Sequence, residues 1–144
     1  MRTVRYGSEG FREAYGEAWS CHDESVWRGF FSPDVVYVEG GMHTSYRGID
    51  DAARFYRFMY RFAADSRIEF VNLYGDREGF GAEWVWSGIA NGPLLVDGVV
   101  HAPTNLPFSI DGAAVCRVDA AGLVTYHKDY YDVRSLMKQL RLPS

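Results

Sequence analysis

Little in this sequence is built for cross-linking, metal binding or charge-driven partners. It has two cysteines, Cys21 and Cys116, far apart, with no C-x-x-C and no histidine at metal-ligand spacing. That pattern excludes a disulfide framework or a zinc knuckle and reads as two reduced thiols. No apolar run approaches the ~18 residues of a membrane span. Charge is not blocked either: 15 Lys and Arg are scattered among 19 Asp and Glu, for a net charge of −4. Nucleic-acid grooves and anionic-membrane patches need clustered cations, so neither partner is expected. The opening residues carry no apolar core of a secretory signal, which makes the cytoplasm the expected location. Phosphate-binding glycine loops and a Ser-His-Asp order are missing too, so no cofactor or metal is expected. Without internal repeats or low-complexity tracts, residues 1–144 read as one domain.

Aromatic residues, by contrast, are abundant. Phe, Tyr and Trp make up 16% of the chain, with 9, 10 and 4 copies. Each buried ring covers roughly 150–250 Å², more than a small core usually needs. Some of these rings are expected to line a cavity for a flat or apolar ligand.

Periodicity gives the elements. Ser8 reads as a helix N-cap, followed by Phe11, Tyr15, Ala18 and Trp19 at helical spacing. A short helix from about Asp23 to Phe31 is stopped by Ser32-Pro33-Asp34. Val35 to Glu39 is a strand closed by Gly40-Gly41, and Tyr46-Arg47-Gly48 turns into a helix from about Asp50 to Ala63, with Asp50 and Asp51 as caps. Arg67 to Tyr74, Gly79 to Ala90, Leu106 to Val118 and Leu123 to Tyr131 read as strands rich in branched and aromatic residues. A last helix spans Asp132 to Leu140. Helices first and long antiparallel strands after them give an α+β domain, a curved sheet wrapped around a helix as a cone with one apolar pocket. The segment from Leu94 to His101 is long enough to act as a lid over its mouth.

Two stretches resemble the SnoaL-like branch of the nuclear-transport-factor-2-like superfamily. One runs from Ala102 to Pro143 and includes GAAVCRVDAAGLVTYHKDYYD; the other runs from Trp27 to Tyr56 and includes SPDVVYVEGG and YRGIDDAARFY. The resemblance implies the cone fold. It also implies a homodimer, since members of this fold usually pair through the open sheet face.

The same resemblance nominates site residues. Thr125, His127, Asp129 and Tyr131 share one strand face by the period of two. HKDYYD is similar to the segment that holds the pocket carboxylate of SnoaL-like cyclases, so Asp129 is expected to be the general acid or base, its pKa raised by an aromatic pocket, with His127 sharing its proton. Val35, Tyr37 and Glu39 share a face of the earlier strand. Glu39 lies where ketosteroid isomerases carry their general base, and Tyr15 where they carry the phenol that binds the oxyanion. Trp84 and Trp86 of EWVWSG stand where epoxide-hydrolase-like members carry Arg and Asp. With Tyr37 and Tyr131 they are expected to contact substrate. Ala114 replaces the isomerases' second oxyanion donor, Ile89-Ala90-Asn91-Gly92 replaces a THTG run, and Asn105 replaces a glycine. These features imply a cofactor-independent cyclase or isomerase acting on a hydrophobic, oxygenated, polyketide-type molecule. An epoxide hydrolase of the limonene-oxide type and a non-catalytic ligand-binding module are the alternatives.

Overall fold

The computed structural model describes residues 3–143. Its helices are α1 (Phe11–Ala18), α2 (Glu24–Arg28), α3 (Ile49–Phe62) and α4 (Val133–Gln139), and its strands are β1 (Phe31–Glu39), β2 (Thr44–Arg47), β3 (Arg67–Asp76), β4 (Gly79–Ile89), β5 (Leu94–Val96), β6 (Val99–His101), β7 (Pro107–Val118) and β8 (Val124–Tyr130). Six strands form one sheet in the order β2-β1-β8-β7-β4-β3, and β5 and β6 form a separate hairpin. All neighbours in the large sheet are antiparallel except β1 and β8, which run parallel.

Local chemistry explains where the elements begin. Asp23 caps α2 by accepting the N–H groups of Ser25 and Val26, and Asp132 caps α4 by accepting that of Arg134. The cap of α1 is Gly10 in the left-handed region (φ 86°), not Ser8. Ser8 contributes its carbonyl, which accepts from Phe11 N–H. Asp51, in the first turn of α3, reaches back to the N–H of Arg47 at 3.0 Å, while Asp50 pairs with Arg28.

Two stretches read as breaks are strand. β1 runs through Ser32-Pro33-Asp34, because Pro33 falls where the β1–β8 register shifts, between Phe31 and Val36. No ladder donor is required of it there. Tyr46 and Arg47 belong to β2, paired with Tyr37 and Val36. Further register shifts on β3 (Phe70/Asn72) and between β7 and β8 bend the sheet.

The inner face of this sheet is aromatic. Phe80, Trp84 and Trp86 of β4, Phe108 and Ile110 of β7, and Val35 and Tyr37 of β1 are buried. Against them lie α1 and the stripe Ala52, Ala53, Tyr56, Met59 and Phe62 of α3. The sheet therefore closes over α3 as a cone, and polar side chains on the inner face of β1 and β8 end up inside it.

Candidate active site

Parallel pairing of β1 with β8 builds the site. Tyr37 lies beside His127, and Glu39 beside Asp129, in register. Their side chains share the inner face and open on one cavity with Tyr131, Trp84 and Trp86, closed by Trp19, Phe55, Met59, Ile68 and Phe70. The space that water centres can reach inside it is about 30 Å³. Seven of the eight nominated residues, Tyr37, Glu39, Trp84, Trp86, His127, Asp129 and Tyr131, therefore line one cavity, while Tyr15 is not part of the wall. A surface depression of about 1170 Å³, between the Tyr6–Glu13 segment and the β3–β4 and β7–β8 turns, holds none of them.

Asp129 is held by three side-chain donors. His127 Nε2 lies 2.8 Å from its Oδ1, Trp84 Nε1 donates to the same oxygen at 3.0 Å, and the Tyr37 hydroxyl donates to Oδ2. Behind it, His127 is 1% exposed. Its Nδ1 meets the Tyr15 hydroxyl at 2.7 Å and Cys116 Sγ at 3.3 Å. Burial pulls the imidazole pKa down, but the Asp129 carboxylate and, after it, Cys116 together more than reverse this, and the value is raised to about 10. Burial pushes the Cys116 thiol up, so it stays protonated. An imidazolium paired with a carboxylate, with a phenol at its far nitrogen, is the resulting unit.

Tyr15 thus takes a different place from the one expected. It is fully buried, and its hydroxyl is spent on His127 rather than offered to a ligand.

Glu39 is the second carboxyl. The Tyr131 hydroxyl donates to its Oε2 at 2.5 Å, and Gly41 N–H donates to its Oε1 at 2.9 Å. Burial raises its pKa to about 7; the Asp129 charge adds to the rise, and the Tyr131 bond opposes it. Glu39 therefore holds a proton that exchanges near neutrality. Burial also raises the Tyr37 and Tyr131 phenols well above their ordinary value, so both remain donors.

Two glycines admit the aromatic donors. A Cβ at Gly112, the register partner of Trp84, would fall 2.5 Å from Trp84 Cζ2. A Cβ at Gly41 would fall 2.3 Å from Tyr131 Cζ. Sequence reading missed both glycines as site residues, along with Trp19, Phe55, Met59, Cys116 and Ser66. Ser66 Oγ accepts the Trp86 indole N–H at 2.7 Å and fixes that ring. Trp19, Phe55 and Met59 carried a signal, as helix-face apolar residues, but that signal does not separate pocket wall from core.

The expected lid is a tight hairpin, β5–β6, turning at Asp97-Gly98 with both φ positive. None of its residues, His101 included, lines the carboxylate cavity. Among the described residues no group of three or more His, Cys, Asp or Glu is placed to hold a metal ion, and no helix is long and apolar enough to cross a membrane.

This architecture matches solved structures at low sequence identity. A ketosteroid-isomerase-like protein from Catenulispora acidiphila, solved with trimethylamine, superimposes with a TM-score of 0.78 at 18% identity, covering 94% of this chain and 95% of that one. A protein from Jannaschia sp. CCS1, proposed to be a SnoaL-like polyketide cyclase, gives 0.76 at 17%, covering 92% and 89%. TsrD from Streptomyces laurentii gives 0.74 at 21%, covering 89% and 90%. No curated protein matches the sequence. The SnoaL-like domain family model matches residues 11–127, from the first residue of α1 to the histidine that pairs with Asp129, and the chain belongs to that family.

Proposed function

We propose that this protein is a cofactor-independent cyclase or isomerase that moves protons with two carboxyl groups on a hydrophobic, oxygenated small molecule of polyketide type. One observation carries the reading: Glu39 and Asp129, register partners in one buried cavity, sit in opposite electrostatic settings. Glu39 is poised near pH 7. Asp129 is engaged by three side chains, His127, Trp84 and Tyr37. Neighbouring carboxyls in such different surroundings can divide acid and base work between them.

In this scheme Glu39 takes an α-proton from a bound ketone, or gives one to a developing alkoxide. The Tyr131 hydroxyl on its Oε2 is the nearest donor for an oxyanion. The Asp129–His127 pair supplies a fixed dipole and a proton reserve behind it. Apolar walls exclude water and fold the substrate, which supplies the proximity term for ring closure. The hydrolase alternative requires a positioned water, and here the Trp84 indole occupies Asp129 from the position where those enzymes carry a charged side chain.

The test is α-proton exchange. Incubated with 2-tetralone in D₂O near neutrality, the wild-type protein should accelerate deuterium incorporation above buffer, followed by NMR. Glu39→Gln should lower the protein-dependent rate by about 10²–10⁴-fold, the usual worth of one positioned proton-transfer group. A wild-type rate equal to buffer, or full activity in folded Glu39→Gln, would sink the reading.

A further inference from the structure

The cavity that holds both carboxyls is too small for the chemistry assigned to it. Its roughly 30 Å³ of reachable space has room for about two waters, at ~10–15 Å³ each. Sites for organic ligands usually occupy ~300–1,000 Å³. The missing volume lies next door. A groove of about 300 Å³ runs outside α3, with Met42, Tyr46, Phe58 and Leu95 as apolar lining and Arg54 and Arg61 at its edge.

Phe55 belongs to the walls of both spaces. Its ring packs on Tyr37 inside, at 4.9 Å between centroids, and on Tyr46 outside, at 5.7 Å. It is half-buried on α3. A rotamer change of this one side chain, a fast motion for a partly exposed residue, would join the chambers without moving backbone. The outer groove also has a polar end. Arg54 is occupied by Asp51 at 2.5 Å. Arg61 forms no ion pair among the described residues, and the groove's carboxylate, Asp97, does not engage it.

We infer that Phe55 is a partition within one elongated substrate site, and that the outer groove with Arg61 binds the distal, anionic end of the substrate. The inference rests on the reading of the inner cavity as the reacting site. It names the substrate class: a flat, extended molecule, apolar along its length and carrying a carboxylate or phenolate remote from the reacting ketone. The reacting end passes Phe55 to reach Glu39. The middle lies on Tyr46 and Phe58. The terminal oxygens take the guanidinium of Arg61, whose planar fork suits them.

Two fluorescent probes with one skeleton test this. N-phenyl-1-naphthylamine is neutral, and 8-anilinonaphthalene-1-sulfonate adds an anion. Titrated into the wild-type protein at low salt, the sulfonate should bind about fivefold tighter, the scale of one partly exposed ion pair. Arg61→Gln should erase that advantage and leave the neutral probe within about twofold of its wild-type affinity. Phe55→Ala should tighten both probes severalfold by removing the partition; Phe55→Leu replaces it if the alanine variant does not fold. Equal wild-type affinities, parallel losses in Arg61→Gln, or unchanged binding in the folded Phe55 variant would each overturn the proposal. Binding of both probes should persist in Glu39→Gln. Deuterium exchange without this probe pattern therefore removes only the outer subsite, and the probe pattern without exchange removes only the acid–base reading.

Discussion

Glu39 and Asp129 are register partners across the parallel β1–β8 pair, so their carboxyls leave the sheet on the same face one strand spacing apart, about 4.8 Å. Each is bonded by a tyrosine of the other strand segment, Tyr131 to Glu39 and Tyr37 to Asp129, both 92 positions away in sequence. The crossed pairs hold two negative-prone groups side by side. Burial and this proximity push Glu39 toward the neutral form, while His127 keeps company with the charge on Asp129.

From this coupling follows a non-additive loss of activity. Glu39→Gln and Asp129→Asn are each expected to lower tetralone exchange by about 10²–10⁴-fold. If both serve one transition state, the double variant should lose far less than the product of the single losses. Multiplicative losses would show two independent groups.

Asp129→Asn should also release His127. The carboxylate is the first of the groups that raise the imidazole to about 10 against the opposing effect of burial. With asparagine in place, only Cys116 is left to oppose desolvation, the largest contribution, and the His127 pKa should fall. Titration of the His127 ring by NMR checks this. An unchanged titration in the variant would mean that Asp129 does not set the charge of the pair.

Much of this site was legible in the sequence because it lies on strands. The period of two put His127, Asp129 and Tyr131 on one face and Tyr37 and Glu39 on another, and the structure brings both faces to one cavity. What alternation could not convey was the pairing of β1 with β8 in parallel, a contact spanning some ninety residues. Nor does spacing say where a helix residue's polar tip goes. Tyr15 sits at a separation from Glu39 that suggested an oxyanion donor, yet its hydroxyl is taken by His127. Pro33 misled because a proline stops a strand only where the ladder needs its N–H. The Asp97-Gly98 pair is a hairpin signal, and the length of the segment from Leu94 to His101 hid it behind the expectation of a lid.

Gly112 should be intolerant of any side chain. A Cβ there would lie 2.5 Å from Trp84 Cζ2 and 2.6 Å from the carbonyl oxygen of Tyr130. Overpacking of this kind typically costs about 1–3 kcal/mol, and the indole must move for the strand to stay paired. Gly112→Ala is therefore expected to lower Tm and to weaken the Trp84–Asp129 bond, read as altered near-ultraviolet circular dichroism. A variant with wild-type Tm and spectrum would contradict the placement of the ring.

Self-association is expected through the outer sheet face. Tyr74, Gly81, Val115 and Lys128 form one cross-strand row there, and Ala113 and Tyr130 lie in the next. Val115 and Tyr130 are each 49% exposed, an apolar pair at mid-sheet that a second copy would cover, as the family resemblance implies. Sedimentation should give a homodimer at micromolar concentration and a monomer for Val115→Glu. A wild-type monomer throughout that range would count against it.

Glu39 should make stability fall as the solution turns alkaline. Its pKa is about 7 in the folded protein against a usual 4.5, so the folded state binds the proton more tightly than the unfolded chain. Stability from this group is fully present below about pH 4.5 and is lost as pH rises through 7, where the buried carboxyl must ionise; the linkage amounts to at most about 3 kcal/mol. His127 acts in the same direction over a higher window. Its folded pKa of about 10 against 6.5 gives stability that is complete below about pH 6.5 and is lost through pH 10. Glu39→Gln removes the first component and leaves the second, because glutamine keeps an acceptor for Tyr131 and never charges. The Tm of Glu39→Gln relative to wild type should therefore rise steadily between pH 5 and pH 8 and level off above. A difference in Tm that stays constant across that range would show that Glu39 titrates alike in the folded and unfolded chains, and would remove it as the group that holds the exchangeable proton.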